Sequence, residues 1–134
     1  MLYQHLTEQI LAAFYEVYNT LGMGFLEKVY ENALLQELRT RGLRVEPQVP
    51  IPVHYKNVIV GMYYADLVVE DKIIIEIKAV ETLHPSHEAQ LLNYLRATDK
   101  EVGLLLNFGP RPKFIRRVWS NRRKHGLSQS STST

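Results

Sequence analysis

The sequence predicts an α/β fold of the α+β kind, a central mixed β-sheet flanked by helices, and three observations predict it. Two segments near the start carry apolar residues at three- and four-residue spacing, the period of an amphipathic helix. Residues 58–80 then read as two strands broken by a turn at Glu70 and Asp71. A further helix-period segment separates these strands from a short, wholly apolar one. The order α-α-β-β-β-α-β is that of a mixed sheet covered by helices.

The first helix is expected over about residues 4–20, where Leu6, Ile10, Phe14, Val17 and Leu21 share a face. Gly22 and Gly24 end it, because glycine readily takes the left-handed conformation of a helix terminus. The second is expected over about residues 26–41, on Leu26, Tyr30, Ala33, Leu34 and Leu38, with Gly42 as its stop. Residues 47–53 contain Pro47, Pro50 and Pro52, and proline donates nothing to a sheet ladder, so this segment is an edge strand. Stronger strands are expected over residues 58–69 and 72–80, joined as a hairpin. Pro85 opens a helix that continues over residues 86–97 with Ala89, Leu91, Leu92 and Leu95. Residues 102–107 read as a buried strand, and residues 114–119 as one more strand or a short helix.

At 134 residues the chain suits one domain able to bury a core without covalent staples. That domain is expected over residues 1–118, followed by a basic, Ser/Thr-rich tail over residues 119–134 expected to be disordered. The sequence has no cysteine, which excludes disulfides, iron–sulfur clusters and thiolate zinc sites and fits a reducing cytoplasm. No apolar run reaches the roughly 18 residues of a membrane span, and the N-terminal segment lacks the basic start of a signal peptide. A soluble, cytoplasmic protein with no membrane partner is expected. Residues 1–101 hold all 14 acidic residues against 9 Lys and Arg, a balance of −5, whereas residues 102–134 hold 7 Lys and Arg and no acid, a balance of +7. Arg111, Lys113, Arg116, Arg117, Arg122, Arg123 and Lys124 are therefore candidates for holding a nucleic-acid backbone without reading its sequence. The alternative is a solubilising tail. Trp119 among them is a candidate base-stacking residue, although a single tryptophan is more often packing.

The chemistry is concentrated in KIIIEIKAV, residues 72–80. A strand so apolar on both faces is usually buried, yet Glu76 and Lys78 interrupt it on one face. Removing an ionised group from water costs several kcal/mol unless it is paired or bound to a metal. Asp66 lies in the apolar strand before it, and a hairpin turning near Asp71 sets positions 66 and 76 opposite each other. Two close carboxylates repel unless a divalent cation sits between them, and hard oxygen ligands of this kind suit Mg²⁺ or Mn²⁺. The plainer alternative is a Glu76–Lys78 ion pair near a sheet edge with Asp66 solvated. On the following helix Gln90 and Tyr94, four residues apart, share a face that His87 also approaches.

The order D-x9-E-x-K followed by Q-x-x-x-Y resembles the PD-(D/E)XK nuclease superfamily, in particular its RecB-like branch. The segment Gly24-Phe-Leu-Glu27-Lys-Val-Tyr30 further resembles the signature of the GxxExxY proteins, a prokaryotic group within that superfamily, and the likeness spans about residues 5–118. The resemblance implies a restriction-endonuclease-like core. It implies Asp66 and Glu76 as metal ligands, with the carbonyl of Ile77 as a further one, and Lys78 as the catalytic lysine. It also implies Glu27 as an acidic residue approaching the metal, and Gln90 and Tyr94 on the substrate side. Ala65 stands where the superfamily's name has proline. Tyr30 fits both the signature and the apolar stripe of its helix.

The expected activity is that of a Mg²⁺- or Mn²⁺-dependent phosphodiesterase acting on nucleic acid, DNA rather than RNA, with Lys78 neutralising the scissile phosphate. The alternative is a nuclease-fold module that binds nucleic acid or acts through a protein partner without cleaving independently. A hydrolase of a small phosphorylated molecule is a third reading. A homodimer and a targeting partner both stay open.

Overall fold

A computed structural model describes residues 1–124. Helix α1 (Gln4–Leu21) turns Ile10, Phe14 and Val17 of the expected stripe inward with Ala13 beside them, while Leu6 and Leu21 pack at the margin of the core. Gly22 ends it at φ 71, its N–H donating to the Tyr18 carbonyl. Helix α2 (Glu27–Thr40) buries Tyr30, Glu31, Leu34 and Leu38. Its end is a Schellman cap: Gly42 at φ 85 donates to Arg39 O at 2.9 Å, and Leu43 N–H donates to Leu38 O at 3.2 Å.

Strands β1 (Val45–Tyr55), β2 (Val58–Val69) and β3 (Ile73–Lys78), helix α3 (Pro85–Arg96), and strands β4 (Val102–Phe108) and β5 (Pro112–Val118) complete the chain. The sheet order is β1-β2-β3-β4-β5; every neighbouring pair is antiparallel except β3 and β4, which the α3 crossover makes parallel. The molecule is thus the mixed, helix-flanked α+β sheet that the element order predicts. Residues 114–118 resolve as strand, within β5, and Trp119 follows it. The edge position of β1 follows from its three prolines. Both hairpin turns use non-glycine residues at positive φ, Lys56 and Asn57 in one, Glu70 and Asp71 in the other, as a primed turn requires. Glu70 is held there by the backbone of Arg44, whose N–H donates to Glu70 Oε2 at 2.6 Å.

Side chains of β3 alternate between two cores. Ile73, Ile75 and Ile77 face α1 and α2; Ile74 faces α3 with Leu91, Tyr94, Leu95 and Leu105. Glu76 and Lys78 follow Ile74 in that alternation and so point to the α3 side.

One expectation needs correction. Strand β3 ends at Lys78, two residues early, because Asn107 takes over the backbone of Val80. The Val80 N–H donates to Asn107 Oδ1 at 3.0 Å, and Asn107 Nδ2 donates to the Val80 carbonyl at 2.9 Å. Residues 119–124 pack against the same sheet and helix. The Trp119 ring packs on the α3-side core, the Trp119 backbone N–H donates to Glu101 O, and Asn121 N–H donates to Glu101 Oε2, each hydrogen bond at 2.8 Å. Residues 121–124 form a helical turn. The expected tail from 125 onward lies outside the described residues.

Candidate active site

The last paired residues of β2 and β3 are Leu67 and Ile75, and side chains take over beyond them. The Ile77 N–H donates to Asp66 Oδ2 at 2.8 Å, and the Asp66 N–H donates to Glu76 Oε2 at 3.3 Å. The register expected from the hairpin therefore brings the two carboxylates together. Glu76 is only 8% exposed. Burial first, then the hydrogen bond and charge of Asp66, push its carboxyl up to about 10. Among the described residues neither carboxylate has a salt-bridge partner, so the Glu76–Lys78 ion pair of the plainer reading is not formed. Lys78 is half-buried, and its charge is felt by Glu76, Glu27 and His87, which places it among them.

Glu27 occupies the first turn of α2. Burial raises its carboxyl, while Lys78 and the Ala79 N–H at the end of β3 oppose the rise. It is not hydrogen-bonded to Asp66 or Glu76, and among the described residues no three Asp, Glu or His side chains converge as a closed metal cage. Two adjacent carboxylates do fit a hard cation that keeps several waters, and the buried, unpaired Glu76 is the group that such a cation would relieve.

Gln90 and Tyr94 share a face of α3, Gln90 Nε2 donating to Tyr94 Oη at 3.0 Å. Burial, then the charge of Glu76, raises the Tyr94 hydroxyl, so this helix face looks onto the carboxylates. His87 instead caps the helix: its Nδ1 accepts from His84 N–H, while His84 Nδ1 accepts from Ser86 N–H, both at 3.1 Å. Tyr30 is fully buried, stacked on Phe108 at 4.4 Å; its hydroxyl donates to Gly22 O at 2.6 Å and accepts from Phe25 N–H at 3.1 Å. It locks the α1–α2 turn and thereby sets where Glu27 begins α2.

Sequence reasoning missed Glu31 and Gln48. Glu31, 5% exposed, accepts from Lys28 Nζ at 2.8 Å and from Gln48 Nε2 at 3.1 Å; Gln48 also reaches Asp66 Oδ1 at 3.5 Å, the outer limit of a hydrogen bond. Glu31 stands four residues after Glu27, a spacing that could have flagged it. Nothing local announces Gln48, which enters the network by adopting φ 51 opposite Asp66.

The seven C-terminal cations do not form one surface. Successive residues of β5 point to opposite faces, so Arg117 pairs with Glu88 on α3 while Arg116 donates to the Leu2 carbonyl beside α1. Lys124 Nζ donates to the backbone carbonyls of Thr98 and Lys100, and Arg123 lies over the Trp119 ring. Arg111, Lys113 and Arg122 are exposed.

A sheet whose splayed strands present two carboxylates and a lysine beneath a Gln/Tyr helix face defines a nuclease-type core. The PD-(D/E)XK nuclease superfamily model matches residues 4–118, and the chain belongs to that superfamily. The fold is similar to that in the "Crystal structure of SSO0001" (17% identity, TM-score 0.53, 98% of this chain and 69% of that one). It is also similar to an alkaline exonuclease, LHK-Exo, from Laribacter hongkongensis (14% identity, TM-score 0.52, 79% of this chain and 62% of that one). No curated protein matches the chain significantly. Among the described residues no helix is long and apolar enough to cross a membrane.

Proposed function

We propose that this chain is a metal-dependent nuclease that hydrolyses phosphodiester bonds of DNA, and that it lies with the GxxExxY proteins of the RecB-like branch. The observation that carries the reading is the buried Glu76 carboxylate set against Asp66 with no ion-pair partner among the described residues and with Lys78 two positions on. Asp66, Glu76 and the Ile77 carbonyl would hold Mg²⁺ or Mn²⁺, with Glu27 approaching from α2. A bound cation supplies positive charge for a phosphate oxygen and lowers the pKa of water. Lys78 neutralises the scissile phosphate. Gln90 and Tyr94 orient the substrate from α3. The exposed Arg111, Lys113 and Arg122 are the cations best placed to meet a nucleic-acid backbone, since exposure leaves them free to neutralise its phosphates and release its counterions.

The test is cleavage of labelled DNA and RNA, single- and double-stranded, by purified protein with Mg²⁺, Mn²⁺ or EDTA. Cleavage is expected with either cation, not with EDTA, and not by folded Lys78→Ala or Asp66→Ala. Equal cleavage by wild type and variants would mark a contaminant and remove the reading. The lack of a third converging carboxylate among the described residues favours one alternative, a nucleic-acid-binding module completed by a protein partner. Binding without cleavage in every cation would select it.

A further inference from the structure

We propose that the groove between the β1–β2 ribbon and α3 binds an unpaired nucleic-acid strand beside the carboxylate centre, so that the substrate is, or ends in, a single strand. This rests on the nuclease reading and names its substrate class. The groove holds about 730 Å³, the size of a small-ligand pocket and enough for an unstacked base with its sugar. One wall is Tyr63 of β2, 45% exposed, and the other is the outer face of α3. A tyrosine ring open to solvent is a stacking platform for any base already out of a duplex.

The groove is continuous with the site. Gln90 lines it and also donates to Tyr94, and the Tyr63 and Tyr94 rings lie 5.6 Å apart. Along α3, Asn93 follows Gln90 by one turn and offers an amide donor and acceptor to a base edge. Arg96 lies six residues beyond Gln90, a helical rise of about 9 Å, the scale of a dinucleotide. At this far end two guanidinium groups lie over the Trp119 ring, Arg123 at 3.7 Å and Arg96 at 5.4 Å from its centre. Stacking uses the flat face of a guanidinium and leaves its N–H edge for phosphate. Among the described residues neither arginine has a salt-bridge partner. The groove therefore runs from Gln90, whose partner Tyr94 faces the carboxylates, past a stacking ring and base-edge amides, to a cationic anchor.

The experiment is fluorescence anisotropy with labelled oligothymidine of about 12 nucleotides, in EDTA so that nothing is cut, alongside a duplex of equal length. Arg96→Glu and Tyr63→Ser should each weaken single-strand binding about tenfold or more. Arg96→Glu should also flatten its salt dependence. Lys72→Glu, a charge reversal at the β2–β3 turn, should leave binding unchanged, and the duplex should bind about tenfold more weakly. Circular dichroism checks folding, and if one variant does not fold the other decides. Equal binding of duplex and single strand, or wild-type binding by the folded variants, overturns the groove. Cleavage with Mn²⁺ separates the two readings. Single-strand binding as expected with cutting no faster than in Lys78→Ala leaves the groove standing and removes the nuclease. Lys78-dependent cutting of duplex and single strand alike, with wild-type binding by the variants, does the reverse.

Discussion

Asp66 holds the backbone N–H of Ile77 at 2.8 Å, where the β2–β3 ladder no longer supplies an acceptor. One carboxylate is thus both strut and candidate ligand, and two substitutions separate the roles. Asp66→Asn keeps an oxygen for the Ile77 N–H, so its unfolding free energy in urea should lie within about 1 kcal/mol of wild type. Asp66→Ala leaves a part-buried donor unmet and should cost about 1–3 kcal/mol. Both should lose the stabilisation that Mn²⁺ gives the wild type. Full Mn²⁺ stabilisation in Asp66→Asn would show that Asp66 is no ligand.

The buried Glu76 carboxyl sets a pH dependence with a definite sign. Its pKa is raised to about 10 in the folded protein, so the folded state keeps a proton that the unfolded chain has released. Stability of the cation-free protein should therefore fall as pH rises from the ordinary carboxylate range toward about 10. The slope cannot exceed about 1.4 kcal/mol per pH unit. Glu76→Gln removes the titration and should flatten that decline in denaturant midpoints. A divalent cation, which binds the deprotonated form, should oppose the decline in the wild type alone. An identical decline in Glu76→Gln would place the titration elsewhere.

Tyr30 braces the α1–α2 turn. Its hydroxyl spans Gly22 O and Phe25 N–H across the α1–α2 turn. Tyr30→Phe leaves both unmet and should cost about 1–3 kcal/mol in thermal or urea melts. Cleavage per folded molecule should stay within a few-fold of wild type. A large fall in kcat with unchanged stability would instead make Tyr30 part of the chemistry.

Where the sequence was legible, the reason was periodicity. Residues two apart in a strand share a face, which set Glu76 beside Lys78; the hairpin turn at Glu70 and Asp71 set Asp66 against Glu76; four-residue spacing joined Gln90 to Tyr94. What failed to show depends on partners far along the chain. Gln48 joins Glu31 to Asp66 through a backbone conformation that no neighbouring residue demands. The cationic end looked like one surface because charge can be counted along a sequence, whereas strand alternation and the Glu88 and Leu2 contacts divide it. Trp119 drew residues 119–124 into the fold by burying its ring, a contact across the α3-side core rather than a local pattern.

The end of β3 supplies the last test. Asn107, 2% exposed and opposite Lys78 in the sheet register, uses its side-chain amide to close both backbone groups of Val80. Gly109 makes room for this, since a Cβ there would lie 2.2 Å from the Val80 carbonyl oxygen. Asn107→Leu should cost about 2 kcal/mol or more, because Val80 would then have a donor and an acceptor unmet. Gly109→Ala should destabilise by forcing the same carbonyl aside. Lys78 lies two residues before Val80, so releasing that strand end lets the lysine drift, and a displacement of about 1 Å at a catalytic group costs about 100-fold in rate. Asn107→Leu should therefore lower kcat well beyond what its loss of folded protein explains, with KM for DNA little changed. Wild-type kcat in folded Asn107→Leu would show that Lys78 is held by its own strand and needs no brace.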